Sequence, residues 1–225
     1  MRKSAPPRYL TTQRVEAFSD GVFAIAITLL ILEIRVPQVH TDVTAPGLGW
    51  ALFRLWPSYF GYVFSFVMIG IYWANHHYIF SLYQESDHYF VLLNVLFLMC
   101  ISFLPFPTAV LAAYINDAEQ RQPAVSLYTF ALLLPAMSWT LMWLYASRRH
   151  RLMESNLDPT FIARLTRQYC ITNLLYSCAF LLSFWFSKLS LIFCVGLSML
   201  YLLPPRRPVY VKGDGAKGPA DGVTR

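Results

Sequence analysis

Apolar stretches about as long as a bilayer is thick recur six times along this chain, at 15–36, 53–80, 89–114, 124–146, 168–187 and 189–203. A spanning helix needs roughly 20 mostly apolar residues, and a helix is favoured because hydrocarbon offers its backbone N–H and C=O groups no other partner. With 56% hydrophobic and only 13% charged residues, the composition is far too apolar for a soluble domain. The reading is an all-α membrane protein of six transmembrane helices. The sixth stretch is short, and the Ser187-Lys188-Leu189-Ser190 break before it predicts a tight hairpin. Pro105 and Pro107 in the third stretch and Pro135 in the fourth predict kinks, since proline lacks an N–H and its ring clashes with the preceding turn.

The net charge is +6, and its distribution assigns it to membrane topology and not to nucleic acid. Arg2, Lys3, Arg8 and Arg14 precede the first stretch, Arg148, Arg149, Arg151, Arg164 and Arg167 follow the fourth, and Arg206, Arg207, Lys212, Lys217 and Arg225 lie in the tail. Fourteen of the 18 basic residues thus fall on one side, leaving Arg35, Arg54, Arg121 and Lys188 at span ends or on the other side. That asymmetry places both termini in the cytoplasm, and five or seven spans would spoil it. Three regions follow: a basic cytoplasmic arm at 1–13, a six-helix domain at 14–203 and a tail at 204–225. The tail is rich in Pro, Gly and charge and is read as disordered. The first helix is too long for a signal peptide and is read as an uncleaved anchor.

The first stretch carries an acidic residue, Asp20. Such a group costs roughly 2.5–3.5 kcal/mol on insertion scales, so by default it faces protein and has a partner. At 100° per residue, Phe18, Gly21, Ile25, Leu29, Leu32 and Val36 share a stripe flanked by Thr28, whereas Glu16, Ser19 and Asp20 point largely the other way. In an isolated chain the stripe would meet lipid and Asp20 the bundle. Asp20 lies about 9 Å inside Arg14 along the helix. Asn75, His76 and His77 end the second stretch at that depth, Trp73 is one turn earlier, and Asn94 enters the third at a similar level. These residues are expected to form one buried polar network with Asp20 and Ser19 across the first three helices.

Soluble-enzyme motifs are missing: no Gly-rich phosphate loop, no H-E-x-x-H and no G-x-S-x-G. No nucleophile, base and orienting group can be assembled either, so the chain is not expected to be an enzyme. Cys100, Cys170, Cys178 and Cys194 form no C-x-x-C pair and argue for neither a disulfide framework nor a zinc site. Adjacent His76 and His77 point about 100° apart on a helix and cannot easily grip one metal ion. No metal and no cofactor is expected. A proton relay through Asp20 with His76 or His77 is the alternative, because histidine titrates near neutrality and such relays occur in transporters.

The string Arg14-Val-Glu-Ala-Phe18-Ser19-Asp20, followed by Gly-Val-Phe-Ala-Ile-Ala-Ile-Thr-Leu-Leu-Ile-Leu-Glu, resembles the R-x-x-x-F-S-D signature of the transmembrane protein 175 family. These are the lysosomal potassium channels and their bacterial relatives. The likeness is strong over the first helix, looser over Trp73 to His77 and Asn94, and limited to number and orientation beyond. One six-helix unit is the bacterial arrangement. The resemblance implies a homotetramer whose first helices surround a central K+ pore, in the plasma membrane of a prokaryote, with lipid bilayer and other copies of the chain as partners. It implies a constriction of Ile25, Leu29 and Leu32, with Thr28 contributing to selectivity. Phe18, Ser19 and Asp20 would then face away from the pore into the second and third helices. No T-V-G-Y-G filter is present, so selection by rings of filter carbonyls is not implied. The alternative in another class is a proton-coupled transporter or proton-permeable channel.

Overall fold

Leu104 and Leu55 mark where two of the expected spans divide into two helices. The computed structural model describes residues 12–37, 47–153, 157–200 and 208. Most of the arm assigned to 1–13, almost all of the tail at 204–225 and the end of the sixth span lie outside the described residues. Among those described, eight α-helices follow one another. They are α1 (Thr12–Leu29), α2 (Leu48–Arg54), α3 (Trp56–Phe80), α4 (His88–Phe103), α5 (Pro105–Tyr114), α6 (Arg121–Ser147), α7 (Pro159–Ser183) and α8 (Ser187–Leu200). Short 3-10 turns extend α1 over Leu30–Glu33 and α6 over Arg148–His150.

Length and composition allow α1 with its extension, α4 with α5, and α6 each to cross a membrane, and α2 with α3 supply a fourth span if their 44° bend lies within one crossing. The breaks have local causes. A proline sits in the first turn of both α3 and α5, where its absent N–H would have no intrahelical partner anyway and its fixed φ suits a helix start. Pro135 differs: α6 runs through it without a break in its helical assignment.

Two expected boundaries move. The helix expected from 168 begins instead at Pro159, because Asp158 caps it by accepting from the Thr160 N–H at 3.0 Å and Pro159 occupies the first helical position. The break expected at Ser187–Ser190 falls on Phe184, Trp185 and Phe186. Ser187 and Ser190 belong to the first turn of α8, with the Ser190 hydroxyl donating back to the Ala179 carbonyl at 2.6 Å. Serine there satisfies a carbonyl of the neighbouring helix and does not end its own.

The core is organised around α6, which packs against α4, α5, α7 and α8, while α1 lies against α3 and α4. Apolar burial gives little drive between helices in lipid, so close approach and interhelical hydrogen bonds matter more. Gly61 on α3 provides such an approach: a Cβ there would meet the Thr108 methyl of α5 at 3.1 Å. Beside it, the Ser65 hydroxyl bonds Thr108 Oγ1 at 2.7 Å and Tyr128 OH at 2.9 Å, tying α3, α5 and α6 together. Ser126 and Ser183 pair at 2.8 Å between α6 and α7.

The α3–α4 and α6–α7 connections are fastened to each other at one end of the bundle. The Gln84 N–H donates to the Leu152 carbonyl at 2.9 Å, beside an antiparallel bridge between Tyr83 and Met153. Asp87 caps α4 through the Phe90 N–H at 2.9 Å, accepts from the Tyr145 hydroxyl at 2.7 Å and pairs with Arg151 at 3.2 Å. Partial burial pushes the Asp87 carboxyl up, but these three partners outweigh it and hold it below the usual carboxylate range.

Candidate functional site

On α1 the alternation of small, polar and apolar residues produces two faces, and packing decides what each one meets. Val15, Ser19, Phe23 and Ala26 are buried against α3 and α4, a set spaced by three and four residues as a packed helix face requires. Ser19 at its centre has two partners, one of which leads on to a third residue. Its hydroxyl donates to the Val15 carbonyl at 2.7 Å, and it accepts from Asn94 Nδ2 of α4 at 2.9 Å. Asn94 Oδ1 in turn lies 3.0 Å from His76 Nε2 of α3.

The directions of these bonds follow from the groups themselves. An amide oxygen only accepts, so Nε2 of His76 carries a hydrogen. Donation runs from His76 through Asn94 and Ser19 to the Val15 carbonyl, where it ends. His76 is fully buried, its ring stacked on Phe80 at 4.0 Å with Phe23 at 5.5 Å and Trp139 at 6.3 Å. His76 Nδ1 has no hydrogen-bond partner among the described residues. This is a buried histidine used as a donor inside an aromatic enclosure.

Asp20 does not join that set. It is exposed in the single chain, where Trp73 Nε1 donates to its Oδ1 at 2.9 Å. His77 is exposed as well and meets Glu16 at 2.8 Å. The single buried network expected from the sequence therefore divides into a buried Ser19–Asn94–His76 chain and an exposed pair of rungs between α1 and α3. Asn75 belongs to neither, since its amide bonds the Ile71 carbonyl of its own helix at 2.8 Å. Arg14 and Phe18 are exposed, and Phe18 does not turn into α3 and α4. The division arises because neighbouring helical residues point 100° apart: only one of Asn75, His76 and His77 can face the core.

Glu16 and Phe23 escaped the sequence reading of this site. Glu16 and His77 form a rung one turn from Asp20 and Trp73, and the signal was present: an i, i+4 pair on α1 opposite an i, i+4 pair on an antiparallel neighbour. Phe23, one turn beyond Ser19, closes the enclosure around His76 and reads in sequence as one more apolar residue.

The opposite face of α1 is bare in the single chain. Ile25, Leu29 and Leu32 are 61%, 41% and 69% exposed, and Phe18 and Val36 extend the same surface. Thr28 is exposed between them, its hydroxyl hydrogen directed back at the Ala24 and Ile25 carbonyls at 3.0 and 2.9 Å. Donating, its oxygen keeps acceptor capacity. Among the described residues no cluster of His, Cys, Asp or Glu has metal-binding geometry.

Comparison with known proteins gives consistent matches. The family model described as the endosomal/lysosomal potassium channel TMEM175 matches residues 14–105, the α1 to α4 region that holds the site. A potassium channel of Chamaesiphon minutus is 44% identical over 197 residues, covering 88% of this chain and 96% of that protein. The crystal structure of a lysosomal potassium-selective channel TMEM175 homolog from Chamaesiphon minutus superposes with a TM-score of 0.76 at 43% identity, covering 85% of this chain and 96% of the other. The human endosomal/lysosomal proton channel TMEM175 is 32% identical over 196 residues, which are 84% of this chain and 38% of the human protein.

Proposed function

The chain belongs to the TMEM175 family, and from that premise we propose that it is a potassium-selective cation channel whose pore is built from the bare face of α1. It is a membrane protein and not an enzyme. The observation that carries the pore assignment is the two-sidedness of α1: Ser19 is fastened to α3 and α4 through Asn94 and His76, while Ile25, Leu29 and Leu32 are left uncovered. A helix anchored on one face presents the other in a fixed orientation. Rings of these side chains from several copies form an apolar constriction that expels water when narrow. Thr28 lies in the same surface, exposed, with an oxygen that can accept and so meet a partly dehydrated cation.

In this proposal the assembly is a homotetramer in the plasma membrane and the ion is K+. Six crossings place both termini in the cytoplasm, with α7 and α8 as the fifth and sixth. The transmembrane domain is 14–203, flanked by the arm 1–13 and the tail 204–225. Asp20 and Glu16, together with Trp73 and His77, serve the anchored side and not the ion path.

Proteoliposomes holding a potassium gradient test the reading directly. Wild-type protein dissipates the gradient, and Ile25→Asn raises the flux severalfold by wetting the constriction. Absence of flux from verified tetramers would overturn the proposal. A second reading, proton permeation, has in its favour the name of the human relative. It predicts that flux follows a pH gradient and disappears in Asp20→Asn protein that still folds.

A further inference from the structure

The hydrogen bonds between α6 and α7 fix how the two helices are rotated, and that rotation creates a surface absent from either helix alone. Asn173 Nδ2 donates to Thr140 Oγ1, and Trp143 Nε1 donates to Thr166 Oγ1 at 2.8 Å. Together with the Ser126–Ser183 pair, these contacts show the helices running antiparallel, one number rising as the other falls. The next residue along each helix is turned 100° from the contact. For antiparallel neighbours that turn carries both helices to the same side.

The residues following the contacts are Leu141 and Leu144 on α6 and Arg167 and Leu174 on α7. All are exposed, with Leu141 at 51% and Leu174 at 62%. One further turn along the α6 stripe is Arg148, also exposed. Arg148 follows the last residue of α6 and Arg167 lies just past Thr166 on α7, so the two charges bracket Leu144, and Leu141 and Leu174 continue the strip away from Arg148. Their axial separation is about 9 Å from the level of the Trp143–Thr166 bond. Long arginine stems can close that gap by reaching toward the interface.

Two described carboxylates at this end are engaged elsewhere. Asp87 pairs with Arg151, and Asp158 is held by Thr160 beside Arg164. Neither ion pair among the described residues includes Arg148 or Arg167. Two guanidiniums bracketing one end of a bare apolar strip have the complementarity of a phosphate with an acyl chain running from it.

We propose that the α6–α7 face is a binding site for an anionic phospholipid, its phosphate held by Arg148 and Arg167 and its acyl chain laid along Leu141, Leu144 and Leu174. The site uses none of the residues of the proposed pore and does not depend on that assignment.

Native mass spectrometry of the full chain, extracted with phosphatidylglycerol or phosphatidylcholine added in turn, tests it. Wild-type protein retains phosphatidylglycerol preferentially. The Arg148→Gln, Arg167→Gln double variant loses affinity by about thirtyfold, the effect of two interfacial charges, and an Arg54→Gln, Arg121→Gln control does not. A melting-temperature rise on adding phosphatidylglycerol, present in wild type and lost in the double variant, confirms the result on folded protein. Equal retention of both lipids, undiminished phosphatidylglycerol binding by the double variant, or displacement of the lipid by inorganic phosphate at similar concentration would each overturn the lipid site.

Discussion

Asn94 makes the buried polar chain possible, because one amide supplies both the acceptor for His76 and the donor for Ser19. In Asn94→Ala the His76 N–H would be buried without an acceptor, at a cost of roughly 1–3 kcal/mol. The expected result is a clearly lowered melting temperature in detergent. Asn75→Ala, which removes only a bond to its own helix, should stay within about 0.5 kcal/mol of wild type. Asp87 supplies a pH-dependent test. Its folded pKa lies below its ordinary value, so its contribution is fully present above that ordinary value and is lost as pH falls through the lowered one. Asp87→Asn should therefore melt earlier than wild type at pH 7, and the difference should shrink on acidification into that range.

At the level of helices, α3 and α5 approach closely through Gly61, where a Cβ would already touch the Thr108 methyl. Gly61→Leu is expected to force the two helices apart at a cost of roughly 1–3 kcal/mol, and to weaken the Ser65 bonds to Thr108 and Tyr128 beside it. Thermal melting checks the first effect, and faster amide exchange on α5 checks the second. Much of the helical layout was legible from sequence, since apolar stretches of spanning length have few alternatives in lipid. The misplaced boundaries lie at α7 and α8, where serine and charged residues occur inside helices. Ser190 shows why: its hydroxyl finds the Ala179 carbonyl, a partner on another helix that no local pattern announces. Asp158 and Pro159 show the reverse, a cap and first-turn proline that sequence reading could have used.

For the whole molecule, the prediction concerns assembly: the proposed pore needs several copies, and the protein extracted in mild detergent should have the mass of four chains of 25.9 kDa. Native mass spectrometry checks this, and a monomer would remove the basis for a constriction of Ile25, Leu29 and Leu32. By itself the sequence determined that the chain is a helical membrane protein, that α1 has two unlike faces, and which family its signature resembles. Those properties depend on residue type and on the 3.6-residue period, which are local. Only the tertiary structure decided that His76 and not Asn75 or His77 joins Asn94 and Ser19, that Asp20 meets Trp73 in an exposed rung, and that Arg148 and Arg167 share one surface. These outcomes depend on the rotation and depth of separate helices relative to one another. Packing of buried side chains such as Phe23, Trp139 and Trp143 sets them, and no periodicity within a single helix encodes them.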